Sequence, residues 1–211
     1  FKRSIMDMDF FFFLIPNKYE LFDYDTFFEN EQKCILVGTS CKTGEALYFD
    51  AKKDKSKQFV LDTCRASSSL PFVTPIVDVR GEPVLDGGIA DSIPIKKAIA
   101  DGNKKNIIVL TRGREYRKKP SNTAFISKKV YKNYPKLQET ISSRYRVYNE
   151  TLDYIESLEE QGEVFVIRPR RKVEIDRMER NKSKLADFYK TGYEDAHDIW
   201  ADLSDWMNKI K

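Results

Sequence analysis

Asp86-Gly87-Gly88 is the segment of this chain whose residue types and spacing could carry chemistry. A carboxylate beside two residues without side chains can be approached closely by a partner hydroxyl. Glycine also accepts positive φ without a Cβ penalty, so the tripeptide can turn sharply. The same residues are common turn chemistry, because Asp-Gly is a frequent tight-turn pair. Context argues for the first reading. Val84-Leu85 leads into the motif as a short apolar strand, and α/β sheets place their working groups at strand ends. Asp86 is therefore a candidate site residue, with Gly87 and Gly88 as the motif that shapes its turn, and an ordinary tight turn stays open as the other reading.

The elements around it follow from periodicity. A short helix opens near Asp25 and runs through Phe27 and Phe28. Cys34-Ile35-Leu36-Val37 is a compact apolar run that reads as a buried strand, ended by a loop from Gly38 to Gly44. Tyr48 and Phe49 mark a short strand, and Val60 to Ser69 a helix closed by Pro71. Ile76 to Val79 and Val84-Leu85 read as two strands about an Arg80-Gly81-Glu82-Pro83 turn. Pro94 suits the first turn of a helix that stops at Gly102, and Ile107 to Leu110 is the next strand. Strand, helix and strand within so short a span form the unit of an α/β sheet. Leu137, Ile141, Tyr145, Tyr148, Leu152 and Ile155 recur at helical spacing, Val164 to Ile167 gives a last strand, and Leu185 to Met207 a final helical stretch bent at Gly192.

Composition bounds the function classes. The 211 residues are 41% hydrophobic and 33% charged, an ordinary globular balance with room for a core. Thirty-seven basic against 33 acidic side chains leave a net charge of +4, without the clustered basic face that nucleic acid requires. Cys34, Cys41 and Cys64 are odd in number and form no Cys-x-x-Cys pair. They read as reduced thiols of a cytoplasmic protein, with no metal site and no disulfide frame. Phe10 to Ile15 is the longest apolar run, far short of the ~20 residues that span a bilayer. No glycine-rich phosphate loop follows any strand, which argues against a nucleotide cofactor.

Arg65-Ala66-Ser67-Ser68-Ser69-Leu70-Pro71-Phe72-Val73-Thr74-Pro75, followed by Val84-Leu85-Asp86-Gly87-Gly88-Ile89-Ala90-Asp91, resembles the patatin-like phospholipases. Lys136-Leu137, Tyr148-Asn149-Glu150, Phe165 to Pro169 and Lys184-Leu185 to Gly192-Tyr193 resemble a bacterial branch of that family. The resemblance implies an α/β fold, a partial three-layer α/β/α sheet with flanking helices, with residues 1–211 forming the C-terminal part of a single hydrolase domain and helices from about 121 onward. It implies a serine esterase acting on lipid esters through a Ser-Asp dyad, without cofactor, in which the carboxylate accepts the serine proton and an acyl-enzyme forms. Asp86 is the position that matches the family's catalytic aspartate.

The family's oxyanion loop and Gly-x-Ser-x-Gly elbow have no counterpart here. Gly38-Thr39-Ser40-Cys41-Lys42 comes nearest, but Lys42 stands where the elbow needs a small residue. Ser67, Ser68 and Ser69 read as small residues that let a helix pack tightly, and His197, the one histidine, as a surface or packing residue. The expectation is a fragment that supplies the aspartate without the serine and is inactive alone. The alternative is a non-catalytic module that binds lipid or a partner. Two stretches bear on a membrane surface. Phe10 to Phe13 either lines an acyl channel or membrane edge or is core and interface, and Arg168, Arg170, Arg171 and Lys172 either attract anionic headgroups or form a solvated loop. A sheet lacking part of its strands also carries an expectation of self-association.

Overall fold

A computed structural model describes residues 7–171, 175 and 179–209. In chain order the elements are a π-helix (Phe10–Tyr19), α1 (Tyr24–Glu29), β1 (Ile35–Ser40), β2 (Ala46–Asp50), α2 (Lys57–Ser67), β3 (Val77–Val79), β4 (Glu82–Asp86), a 3-10 turn (Gly87–Ile89), α3 (Ile95–Ala100), β5 (Asn106–Val109), α4 (Ala124–Val130), α5 (Pro135–Glu160), β6 (Val164–Ile167), α6 (Lys182–Asp198) and α7 (Trp200–Lys209). The fold is mixed α/β. The chain forms two compact units, one from the chain up to Pro94 with Lys119–Tyr148, the other from Ile95–Lys118 with Asn149–Lys211.

The first unit is built on an antiparallel sheet of order β2-β1-β4-β3. Arg80 and Gly81 close the β3–β4 hairpin, both at positive φ (56° and 84°). That is the two-residue turn whose twist suits antiparallel strands, and Asp78 steadies it by accepting the Gly81 N–H at 2.9 Å. Successive residues of a strand face opposite sides of the sheet. In β4, Val84 clusters with Ala66 of α2 and with Val77 and Val79. Leu85 clusters with Leu137 and Ile141 of α5, with Tyr131 and with Ile89. Both residues have no exposed surface. Helices therefore cover both faces of β4, the layering expected from the sequence.

Local chemistry sets the helix ends. Asp23 caps α1 by accepting the Thr26 N–H at 3.0 Å, and Ser56 caps α2 by accepting that of Phe59 at 3.2 Å. Pro135 opens α5 at the position where its missing N–H costs nothing. Gly44, at φ +73°, brings the β1–β2 turn against α5. A Cβ there would lie 2.7 Å from the Lys136 carbonyl oxygen, and Thr140 donates its hydroxyl to the Gly44 carbonyl at 2.9 Å.

In the second unit β5 and β6 pair in parallel, Asn106 opposite Val164 through Val109 opposite Ile167. Gly102, at φ +91°, follows the end of α3. Asn181 caps α6 by accepting from Ser183 and Lys184. Trp206 of α7 donates to the Gly162 carbonyl at 2.9 Å and lays its ring on Phe165 of β6.

Three expectations need correction. The stretch from Gly38 was expected to be loop, yet β1 continues to Ser40. Gly38 pairs within the sheet with Leu47 and Asp86, and the position is glycine for space, since a Cβ there would sit 2.5 Å from Val84 and 2.9 Å from Phe49. The strand-helix-strand reading about α3 also fails, since β5 bonds to β6 and β4 to β1 and β3, so α3 joins strands of two separate sheets. The C-terminal helical stretch breaks at Ile199, between α6 and α7, rather than at Gly192, which lies within α6.

Candidate active site

Asp86 is the last residue of β4, an interior strand, and its side chain is half-buried. Its backbone N–H donates to the Ser69 carbonyl at 2.9 Å, and its carbonyl accepts the Thr39 hydroxyl at 2.9 Å. The residue is thereby tied to the end of α2 on one side and to β1 on the other. Its carboxylate turns back on the chain, Oδ1 accepting the Gly88 N–H at 2.6 Å as the cap of the 3-10 turn.

The two glycines lack side chains for reasons of space, since neither has positive φ. This corrects the expectation that backbone conformation demands them. A Cβ on Gly87 would lie 2.3 Å from the Val37 carbonyl oxygen, so the turn packs directly on the main chain of β1. A Cβ on Gly88 would lie 2.9 Å from Asp86 Oδ1, 3.3 Å from Arg144 Nη2 and 3.6 Å from Ser92 Oγ. The missing side chain at position 88 leaves room beside the carboxylate.

Further hydrogen bonds hold the turn around the carboxylate. The Gly87 carbonyl accepts the N–H groups of Ala90 (3.1 Å) and Asp91 (2.9 Å). The Gly88 carbonyl accepts the Ser92 hydroxyl at 2.7 Å and Arg144 Nε at 2.5 Å. Thr39 also accepts the Ala90 N–H at 3.2 Å, and Tyr48 donates its hydroxyl to Asp91 at 2.7 Å. A carboxylate set on a turn with this many partners cannot drift far, which is what proton transfer over hydrogen-bond distance requires.

Ser40 does not join this group as a nucleophile. It is 1% exposed, donates to Glu82 Oε1 at 2.5 Å and accepts the Thr43 N–H at 3.1 Å. Lys42 holds the other oxygen of Glu82 at 2.9 Å. The lysine, then the serine, keep the Glu82 carboxyl below its ordinary value of 4.5. Among the three serines at the end of α2, Ser69 is fully buried and returns its hydroxyl to the Arg65 carbonyl at 2.8 Å, the packing use expected of it. His197 is exposed in the last turn of α6. Cys41 is buried, and burial pushes its thiol up to about 12. Cys64 is pushed up as well, by burial and then by Cys34. Among the described residues no group of three or more His, Cys, Asp or Glu side chains gathers as a metal would need.

At the surface, Phe10, Phe11 and Phe13 are 38%, 45% and 59% exposed, so this aromatic run is not core. Arg168 pairs with Glu159 and Arg170 with Asp198, which offsets much of the basic cluster, and Lys172 lies outside the described residues. No helix among the described residues is long and apolar enough to cross a membrane.

The residue that sequence reasoning passed over is Arg144. Leu137 and Ile141 place the buried face of α5, and position 144 falls on that same face, one turn on. A charged residue in apolar phase was the available signal.

Residues 10–99, which contain the sheet and the Asp86 turn, match the family described as patatin-like phospholipase, and residues 134–208 match a domain of unknown function, DUF6363. The uncharacterized protein YjjU of Escherichia coli (strain K12) is 44% identical over 57 residues, 26% of this chain and 16% of that protein. The chain thus matches a small part of that relative's length. Over residues 10–99, the stretch that holds the sheet and the Asp-Gly-Gly turn, the chain is similar to the patatin-like phospholipases.

Proposed function

We propose that Asp86 is the general base of a lipid acyl hydrolase, working with a serine that these 211 residues do not supply in elbow form. The supporting observation is a half-buried carboxylate at the end of an interior strand, with Oδ1 held by the Gly88 N–H and a side-chain-free residue beside it. In the reaction Asp86 takes the hydroxyl proton of the serine as its oxygen attacks the ester carbonyl. The same proton then passes to the departing alcohol. Water, giving a proton to Asp86 as it attacks the acyl carbon, releases the acid, and that proton passes to the departing serine oxygen.

The chain alone turns over no ester. In a protein extended to include a Gly-x-Ser-x-Gly elbow, Asp86→Asn lowers kcat on short-chain nitrophenyl esters and on phospholipid by about 10³-fold or more. This follows because general-base catalysis contributes about 10²–10⁴. Full turnover by the Asp86→Asn protein would sink the dyad. The exposed Phe10, Phe11 and Phe13 favour one alternative, a module that binds lipid without turnover. That alternative gives vesicle binding by the chain that is indifferent to Asp86 and no turnover in the extended protein.

A further inference from the structure

Resting on Asp86 as the base, we propose that Arg144 is a positioning residue of the site, holding the Asp86-Gly87-Gly88 turn in its working geometry and placing a fixed positive charge beside the carboxylate.

The inference starts from where the arginine is. Leu137 and Ile141 are 0% and 8% exposed and fix the inward face of α5 in the first unit. Thr140 and Gly44 clamp the same stretch of helix to the β1–β2 turn. Position 144 continues this face, where an apolar residue would complete the packing. It carries instead a half-buried guanidinium. Retaining a charge there has a desolvation cost, so its contacts must offset that.

The turn supplies one such contact. Nε donates to the Gly88 carbonyl at 2.5 Å, and that oxygen also accepts from Ser92. With two donors the carbonyl has no remaining freedom, and the backbone of Gly88 is held from both sides, because its N–H donates to Asp86 Oδ1. Nη2 and Asp86 Oδ1 lie 3.3 Å and 2.9 Å from the point where a Gly88 side chain would begin. Guanidinium and carboxylate therefore flank the same side-chain-free position, within roughly 6 Å of each other. The planar fork lets one side chain do both, Nε to the carbonyl and Nη2 toward the carboxylate, which a lysine ammonium cannot reproduce.

Two measurements test this. In the isotope-labelled 211-residue chain, Arg144→Gln speeds hydrogen exchange of the Gly88 amide at least tenfold, while the amides of Val84 and Leu85 keep their rates. Arg144→Lys lies between. A variant that merely loosens the fold would move all three amides together, and unchanged Gly88 exchange in a folded Arg144→Gln chain would overturn the proposal. In the extended, serine-bearing protein, Arg144→Gln lowers kcat at least tenfold with KM within about twofold, and Arg144→Lys regains part of the loss. If Asp86→Asn abolishes turnover but Arg144→Gln leaves it intact, the arginine's role fails and the dyad stands. If Asp86→Asn is fully active, the dyad itself fails, and the exchange data alone judge whether Arg144 holds the turn.

Discussion

Gly87 and Gly88 lack side chains for different reasons, and substitution should separate them. At position 87 the obstacle is the main chain of Val37, which cannot rotate away. At position 88 the nearest atoms are the Asp86 and Arg144 side chains, which can give way. Gly87→Ala is expected to destabilise the chain by about 3 kcal/mol, the upper end of the usual cost of overpacking, and Gly88→Ala by less than about 1.5 kcal/mol. Urea midpoints measure both, and equal losses would refute the assignment. Gly88→Ala should still impair a serine-bearing enzyme, since the displaced group is the carboxylate itself. The aspartate and its two glycines were legible in the sequence because they are contiguous and follow an apolar strand. Arg144 was not, because its contact with Gly88 spans 56 residues and arises only when α5 lies on the sheet.

At the scale of elements, β1 and β4 are joined by more than their ladder. Ser40 of β1 donates to Glu82 of β4, and Lys42, just past β1, grips the same carboxylate. Because these partners hold Glu82 below 4.5 in the folded chain, the link is fully present above about that pH. It is lost as pH falls through the lower folded value, where the acid must be protonated. The melting temperature should therefore drop more steeply on acidification in the parent chain than in Glu82→Gln, and parallel curves would disprove the coupling. Most elements were legible from apolar periodicity and cap residues, including α2, the β3–β4 hairpin and α5. Pairing was not, since no local pattern says that β5 binds β6 rather than β4. Glycine misled twice, at Gly38, where it lies within a strand, and at Gly192, which a helix runs through without ending.

For the molecule as a whole, the two units differ in how their strands meet. In the first, β1 and β2, and likewise β3 and β4, are neighbours in sequence joined by tight turns. In the second, β5 must wait for β6 across the whole of α4 and α5. The parallel pairing that completes the second unit thus has a long chain excursion to close before any contact rewards it, a kinetic burden that the hairpins escape. During refolding, pulse-labelled amides of β1 and β2 should gain protection before those of β5 and β6. Simultaneous protection would show one cooperative step instead. The Asp86 turn belongs with the early group, so the carboxylate's surroundings on the sheet should take shape while the C-terminal half of the chain is still seeking its partner.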